Sequence, residues 1–154
     1  MEYKHTQVGY LMIVVTLFVF AVFFQTHIAA IQETPSPDSG TNLLVTSLMV
    51  GIIFILISMS ILTVFIDKTQ VGLKFGFGIY RRKFQLNNIL SAHSIKNKWY
   101  YGWGIRWCAH PRTWIYNVSG FDAVEIRLLN GKIYRIGTDE PEKLAAAIQM
   151  ALKK

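Results

Sequence analysis

Residues 43–66 read LLVTSLMVGIIFILISMSILTVFI, and this stretch decides the architecture of the chain. It runs for 24 residues without a charged side chain. As a helix it would be ~36 Å long at ~1.5 Å per residue, which exceeds the ~30 Å thickness of a bilayer's hydrocarbon layer. Its only polar side chains are serine and threonine hydroxyls, which can bond to carbonyls of their own helix. The segment is therefore predicted to span a membrane.

Another apolar segment, residues 8–31, lies closer to the N-terminus. Residues 8–24 are interrupted only by Gly9 and Thr16, and a polar step, QTH at residues 25–27, comes before the segment turns apolar again. The part before the step has 17 residues, which is the lower limit for a membrane helix of ~17–25 residues. We therefore predict a first span over residues 8–31, with the polar step at the outer interface.

This N-terminal segment could instead be a signal peptide that is removed. Such peptides have an apolar core of ~7–15 residues behind a basic N-terminal region. Here the apolar core is longer, and Lys4 is the only basic residue before it, so a retained anchor is favoured. His27, in the polar step, could bind a proton or a metal inside the membrane, but a histidine at the interface is the simpler interpretation.

The distribution of charge predicts how the two spans are oriented. The connector between them, residues 32–42 (QETPSPDSGTN), has no Lys or Arg, whereas residues 67–154 hold 15 of the 16 basic residues. Because basic segments next to membrane helices stay in the cytoplasm, we expect a multi-pass protein of the cell (inner) membrane with both termini cytoplasmic. Residues 1–67 would form a transmembrane helical hairpin and residues 68–154 a cytoplasmic domain.

After the second span the pattern changes to short β-rich runs separated by Gly and Asn. NG at residues 130–131 is typical of a two-residue type I′ hairpin turn. With that turn Arg135 falls opposite Ile126, an apolar position, so either a β-bulge shifts the register or Arg135 lies at the end of a barrel. Seven strands are predicted, at residues 71–77, 79–86, 89–95, 105–108, 113–118, 121–129 and 132–136.

A helix is predicted at the end of the chain. Asp139 and Glu142 have the spacing of a capping box, and Pro141 suits the first turn of a helix. An apolar stripe at helical spacing follows, which would pack over a sheet. The stripe consists of Leu144, Ala147, Ile148 and Ala151.

Seven antiparallel strands followed by one helix is the element order of a pleckstrin-homology-like (PH-like) fold. The chain also resembles the bacterial PH-like domain that follows transmembrane hairpins in small membrane proteins. The resemblance implies a seven-stranded antiparallel half-open barrel capped by the C-terminal helix, that is, an α+β domain behind a membrane α-helical hairpin. It implies a binding or assembly module and brings no catalytic residue. The matching stretches are YGWGIR at 101–106, YNVSG at 116–120, DAVEI at 122–126 and RIGTDEP at 135–141.

The search for catalytic or metal-binding chemistry is negative. The four histidines and the single cysteine, Cys108, do not have the spacing of a zinc site. A lone thiol forms no internal disulfide, and a free cysteine is usually a small buried side chain. We therefore predict no cofactor, no metal and no enzymatic activity.

Basic and aromatic residues after the second span are the candidate interface. Lys74, Arg81, Arg82 and Lys83 follow the span, and Trp103 belongs to an aromatic segment. A basic residue near an anionic leaflet contributes ~1 kcal/mol of attraction, and tryptophan favours the headgroup region. These residues could hold the domain against membrane lipid. Alternatively, and more simply, the charges set only the topology and the aromatic rings fill the core. No nucleic-acid partner is predicted, because no binding motif accompanies the charge.

Small residues in the second span, Ser47, Gly51 and Ser58, could let another helix approach closely. That helix could be the first span, a second copy of the chain or another protein. The leading hypothesis is a non-enzymatic, membrane-anchored PH-like module on the cytoplasmic face that contacts a protein partner or anionic lipid. The alternative is an accessory subunit of a larger membrane enzyme or transporter complex.

Overall fold

The structure, a computed structural model, describes residues 3–32, 39–110 and 112–153. In these ranges the chain forms three α-helices and nine strands. Residues 33–38 of the predicted connector lie outside the described residues. The elements are β1 (Tyr3–Val8), α1 (Tyr10–Gln32), α2 (Ser39–Met59), β2 (Ile61–Ile66), β3 (Gln70–Phe75), β4 (Tyr80–Gln85), β5 (Ile89–Lys96), β6 (Gly104–Cys108), β7 (Thr113–Asn117), β8 (Asp122–Leu128), β9 (Ile133–Gly137) and α3 (Pro141–Leu152).

The apolar stretch at residues 43–66 is a helix only in its first part. α2 ends at Met59, and the last six residues, ILTVFI, form β2. The prediction of one helix over the whole stretch is therefore wrong at its C-terminal end. β-Branched and aromatic residues favour strands, and the alternate residues Leu62, Val64 and Ile66 are buried in the core. A continuous apolar run does not distinguish a buried strand from a helix by its periodicity.

A strand that the sequence pattern does not predict precedes the first helix. β1 pairs antiparallel with β2, beginning with Tyr3 opposite Ile66. The chain leaves this sheet through α1 and returns to it through α2. Where the helices join the strands, the Gly9 amide donates to the Ser60 carbonyl oxygen at 2.7 Å. α1 and α2 pack against each other, so the two helices run side by side and antiparallel.

α1 is long and apolar enough to cross a membrane, over Tyr10–Ala29. The mean hydropathy of this segment is 2.2 and only 6% of it is buried, so it is not the core helix of a folded domain. A segment with these properties near the N-terminus is either a membrane span or a signal sequence. α2 has a shorter apolar run, Leu43–Met59. By this measure the described residues hold one candidate span.

The strands form two sheets. The first sheet has the order β1-β2-β3-β4, and the second has the order β5-β8-β9-β7-β6, in which β7 and β9 are parallel. All seven predicted strands are present, as β3 to β9. In the described part of the chain they do not form one antiparallel barrel, because β3 and β4 belong to a separate sheet, in which β3 pairs with β2. The first sheet therefore takes strands from both sides of the predicted domain boundary at residue 67.

The core lies between the inner faces of the two sheets and the apolar side of α3. Leu144 and Ile148 of α3 are fully buried there, which confirms the predicted stripe. Pro141 occupies the first turn, as predicted. The helix thus covers one end of the space between the sheets.

The predicted capping box at the start of α3 does not form. Glu140 is the N-cap residue, and its side chain makes no capping hydrogen bond. Asp139 instead accepts a hydrogen bond from His5 of β1, with 2.5 Å between His5 Nε2 and Asp139 Oδ1. A long-range partner has replaced the local one, and the N-terminal strand is thereby tied to the C-terminal helix.

The β8–β9 turn settles the position of Arg135. Gly131 has a φ of 77°, and no described non-glycine residue has a positive φ. The predicted type I′ turn is therefore wrong, since it needs a positive φ at Asn130 as well. The loop is one residue longer than predicted, and Arg135 lies opposite Glu125 rather than Ile126. The register is thus shifted by one residue through the longer loop, and the β8–β9 ladder itself runs without a bulge.

Candidate functional site

One face of the first sheet, turned away from the core, concentrates positive charge. Successive side chains of a strand point to opposite faces, so every second residue of a strand lies on this face. Neighbouring strands bring these residues together: Lys74 lies opposite Arg81, and one row further along Gly72 lies opposite Lys83. We call this surface the basic face; it consists of Lys4, Lys74, Arg81 and Lys83 around the ring of Phe65.

Phe65 lies at the centre of the basic face, in the space that Gly72 leaves free. The two residues are cross-strand neighbours, and a Cβ atom at Gly72 would overlap carbons of the Phe65 ring. The depression around the ring has a volume of about 270 Å³, and none of its described lining residues is acidic. The basic face therefore presents cations around an apolar centre, a combination that suits the interfacial region of an anionic leaflet.

Arg82 does not lie on the basic face, although its sequence neighbours Arg81 and Lys83 do. It lies opposite Leu73, on the other side of the sheet. There its guanidinium donates to Tyr134 Oη at 3.2 Å and lies 5.6 Å from the centre of the Tyr134 ring. The predicted cluster of consecutive basic residues is thus divided between two surfaces.

Trp103 is also placed away from the basic face. It precedes β6 in the second sheet and is partly buried, with its ring centre 6.3 Å from that of Phe121. Its carbonyl oxygen accepts a hydrogen bond from Arg106 Nε at 3.2 Å. The structure therefore brings Lys74, Arg81 and Lys83 together, and it brings neither Arg82 nor Trp103 to them.

Two members of the basic face, Lys4 and Phe65, are not found from the sequence. Lys4 lies on β1, whose sequence YKHTQV is short and polar. Phe65 lies in the apolar stretch for which the sequence predicts a membrane helix. Burial alternates along β1 in the structure, but the composition of these residues does not reveal that alternation.

A second cavity opens between the two sheets, at the edge where β4 faces β6 and β7. Its volume is about 660 Å³, and none of its described lining residues is acidic. We call it the inter-sheet pocket. Its basic residues are Arg82, Arg112 and Lys132, and its aromatic residues are Tyr80, Trp107, Trp114, Tyr116 and Tyr134.

Tyrosines form the inner wall of the inter-sheet pocket. Tyr116 is only 1% exposed, and its hydroxyl lies 3.1 Å from the hydroxyl of Tyr80. The rings of Tyr116 and Tyr134 stack with 6.5 Å between centres and 12° between planes. Burial, and then the hydrogen bond with Tyr80, raise the pKa of Tyr116, so its phenol stays neutral and adds no negative charge beside Arg82.

The small residues of α2 do not share one packing surface within the chain. Ser58 is buried, and its backbone contacts Gly76 of the β3–β4 turn. Ser47 is exposed and donates to the Leu43 carbonyl oxygen at 2.8 Å. A Cβ atom at Gly51 would meet nothing within 4 Å. Ser58 therefore packs against the β domain, while Ser47 and Gly51 leave open space beside the helix.

A buried acid in the second sheet has a structural role. Glu125 is 7% exposed and pairs with Arg127 at 2.9 Å and with Arg135 at 3.0 Å. The Arg135 guanidinium also lies 5.7 Å from the centre of the Tyr101 ring. The pairing satisfies charges that would be costly to bury alone, and it holds the segment around Tyr101 on the outside of the second sheet.

In residues 3–32, 39–110 and 112–153, no group of three or more His, Cys, Asp or Glu is placed to hold a metal. Cys108 is half-buried, and His27 is exposed, with its ring centre 5.2 Å from that of Phe23. No protein-family model matches the chain, and no curated protein matches it. The features of the described residues that indicate a function are therefore the basic face and the inter-sheet pocket.

Proposed function

We propose that the protein is a non-enzymatic module anchored in the cell membrane by α1 and α2, and that its basic face contacts anionic lipid headgroups. One observation carries the proposal: the strands that continue into the two apolar helices belong to the same sheet that bears the basic face. Anchoring through those helices would hold that sheet at the membrane surface. Each of its cations would then gain ~1 kcal/mol from an anionic leaflet.

The pairing of β1 with β2 supports two spans. β1 precedes α1 and β2 follows α2, and the strands are neighbours in one sheet, so they lie on the same side of any membrane. The chain between them must cross an even number of times. If α1 crosses, α2 supplies the return, and its apolar run Leu43–Met59 matches the lower end of the ~17–25 residues that a span needs.

The same pairing supports a retained first helix. Cleavage after α1 would remove β1 together with the helix, and it would leave β2 as an unpaired, apolar sheet edge, which favours aggregation. The contact between His5 of β1 and Asp139 would also be lost. We therefore keep the interpretation of α1 as an anchor.

Charge supports the cytoplasmic side for both termini, since 15 of 16 basic residues follow α2 and basic segments are retained there. The order of β3 to β9 followed by α3 supports a PH-like relationship. The parallel pairing of β7 with β9 and the additional strands β1 and β2 are departures from that pattern. The relationship to PH-like domains thus remains part of the proposal.

The β3–β4 turn gives the basic face an apolar neighbour at the membrane. The Gly76 amide donates to the Ile61 carbonyl oxygen at 2.8 Å, and Gly76 contacts the backbone of Ser58. The turn therefore lies at the end of α2 that joins the sheet. On it, Phe77 and Ile79 are 74% and 59% exposed. At a bilayer surface these side chains would enter the interface while the basic face reaches the phosphate groups.

The proposed lipid contact is tested by measuring the depth of this turn in a membrane. The full chain, with Cys108→Ser and a spin label at Ile79→Cys, is placed in nanodiscs of phosphatidylcholine with or without phosphatidylglycerol. Electron paramagnetic resonance accessibility is expected to place the label at the interface in the anionic discs. Replacing Lys74, Arg81 and Lys83 by glutamine removes ~3 kcal/mol of attraction, so the label is expected to move toward water.

Two controls isolate the basic face. A label at Leu129→Cys, on the exposed β8–β9 turn, should remain in water in every disc. Glutamine at Lys68, Lys143 and Lys153, three exposed cations elsewhere on the domain, removes the same net charge and should leave the Ile79 label in place. Equal depth with and without the basic-face charges, or an equal effect of the control triple, would refute the proposed lipid contact.

A second candidate function is that of an accessory subunit of a larger membrane enzyme or transporter complex. The exposure of Ser47 and the open space at Gly51 favour it, because small residues allow close approach of a partner helix. Purification from native membranes in mild detergent, followed by mass spectrometry, tests it. Recovery of the chain alone, or only with copies of itself, would contradict this alternative.

A further inference from the structure

We propose that the inter-sheet pocket binds a small molecule that combines a planar ring with an oxyanion such as a phosphate or carboxylate group. The pocket lies on the opposite side of the first sheet from the basic face, so this inference is independent of the lipid contact. Its volume of about 660 Å³ falls within the ~300–1,000 Å³ of small-molecule sites.

The basic residues of the pocket indicate that its ligand carries an oxyanion. Arg82 comes from β4, Arg112 from the segment before β7, and Lys132 from the β8–β9 turn, and all three line the same cavity. With no acid among the described lining residues, their mutual repulsion is uncompensated inside the pocket. An oxyanion would relieve that repulsion and accept charge-assisted hydrogen bonds, which arginine can make in pairs.

Two contacts with Tyr134 hold Arg82 in place. Its hydrogen bond to Tyr134 Oη and its position over the Tyr134 ring fix the guanidinium at the cavity wall. Because one donor nitrogen is used by Tyr134, the remaining N–H groups are available to a ligand. A guanidinium fixed before binding loses less entropy when it captures an anion.

Two tryptophans indicate that the ligand carries a planar ring. Trp107 and Trp114 are directly opposite each other on β6 and β7, and they remain 55% and 41% exposed. In the described part of the chain neither indole packs on another aromatic ring, whereas Trp103 packs near Phe121. Large exposed aromatic surfaces beside cations bind flat rings by stacking.

The test uses four probes on the full chain in nanodiscs. Adenosine monophosphate has a ring and a phosphate, indole-3-acetate has a ring and a carboxylate, adenosine has only the ring, and inorganic phosphate has only the anion. Binding is followed by tryptophan fluorescence and by isothermal titration. At least one of the two ring-bearing anions is expected to bind at least about tenfold more tightly than adenosine and phosphate. The comparison of these two anions identifies the preferred oxyanion.

Variants then assign the site. Arg82→Gln and, as a second change in an exposed turn, Lys132→Gln are each expected to weaken that binding at least about fivefold, in line with a lost charge-assisted hydrogen bond. Trp114→Leu should weaken the binding of the ring-bearing anion and leave that of phosphate unchanged. Arg81→Gln, one residue away on the opposite face of β4, is the matched control and should not change the affinity.

Three results would overturn the inference: no saturable binding of any probe at millimolar concentration, equal affinity for the ring-bearing anions and for adenosine or phosphate alone, or unchanged affinity in both the Arg82→Gln and Lys132→Gln variants. Thermal unfolding of each variant shows whether the domain remains folded. None of these results bears on the depth of the Ile79 label, so the pocket and the lipid contact fail separately.

Discussion

Replacing Gly72 by alanine is expected to destabilise the first sheet through one side chain, the Phe65 ring. An alanine Cβ at this position would overlap three carbons of that ring. Gly72 is not among the glycines with positive φ, so its backbone conformation does not itself require glycine. Overpacking of this kind costs ~1–3 kcal/mol. For a domain of this size ~1 kcal/mol corresponds to ~4–8 °C in Tm.

A double-mutant cycle isolates the contact. Phe65→Leu removes the ring and, at a half-buried position, should cost less than ~1.5 kcal/mol. In that background Gly72→Ala is expected to be neutral or stabilising by up to ~1 kcal/mol, because glycine is unfavourable inside a strand. The cycle should therefore give a coupling energy of ~1–3 kcal/mol.

Thermal unfolding of the full chain in one detergent, followed by far-ultraviolet circular dichroism, measures these changes. Gly51→Ala is the matched control, since an added Cβ meets nothing within 4 Å there. Its Tm should stay unchanged or rise. A Gly72→Ala variant as stable as the wild-type chain, or a cycle in which the two changes are additive, would refute the packing of Phe65 on Gly72 and with it the centre of the basic face.

Two further predictions concern Tyr3 of β1 and Gly51 of α2. Burial, followed by the charges of Glu140 and Asp139, raises the pKa of Tyr3 to about 12, compared with ~10 in an unfolded chain. The folded state holds the Tyr3 proton more tightly, so the contribution of this proton to stability is complete below pH ~10 and is lost as the pH rises through 12. Tyr3→Phe should therefore reduce the loss of Tm at alkaline pH. An identical loss in the variant and the wild-type chain would contradict this prediction. Gly51→Leu should leave Tm unchanged, since the space beside Gly51 is open. If the chain is a subunit of a larger complex, the same substitution should abolish the co-purification of its partner proteins. An unaltered complex would place the partner elsewhere.

The sequence predicts the seven strands β3 to β9 and the helix α3 because the apolar residues of these elements recur with the periodicity of a strand or of a helix. Along β8 the apolar Val124 and Ile126 alternate in sequence with the charged Glu125 and Arg127, which is the pattern of a half-buried strand. The structure nevertheless buries Glu125 as well, through its ion pairs with Arg127 and Arg135. The helix stripe around Leu144 is equally clear.

The sequence does not predict β1 and β2, for opposite reasons. β2 is apolar on its buried side and carries Phe65 and Ile61 on the other, so the run continues the hydropathy of α2 without a break. β1 is polar and short, and its pairing partner lies on the far side of both helices. The two strands meet because the chain leaves the sheet through α1 and returns to it through α2, and no property of residues 3–8 alone indicates that partner. For the same reasons the sequence does not predict that Lys4 and Phe65 belong to the basic face.

The run Arg81-Arg82-Lys83 shows how the local backbone divides a charge cluster. In sequence the three residues look like one juxtamembrane patch, but a strand has a side-chain period of two. Arg81 and Lys83 therefore share the basic face, while Arg82 lies opposite Leu73 and reaches Tyr134 in the inter-sheet pocket. Neighbouring substitutions in β4 should consequently have separate effects: Arg81→Gln should change the membrane depth of the β3–β4 turn and leave probe affinity unchanged, and Arg82→Gln should do the reverse. One patch acting through all three charges predicts instead that both variants lose both properties, so the pair of measurements distinguishes a strand with two working faces from a simple run of positive charge.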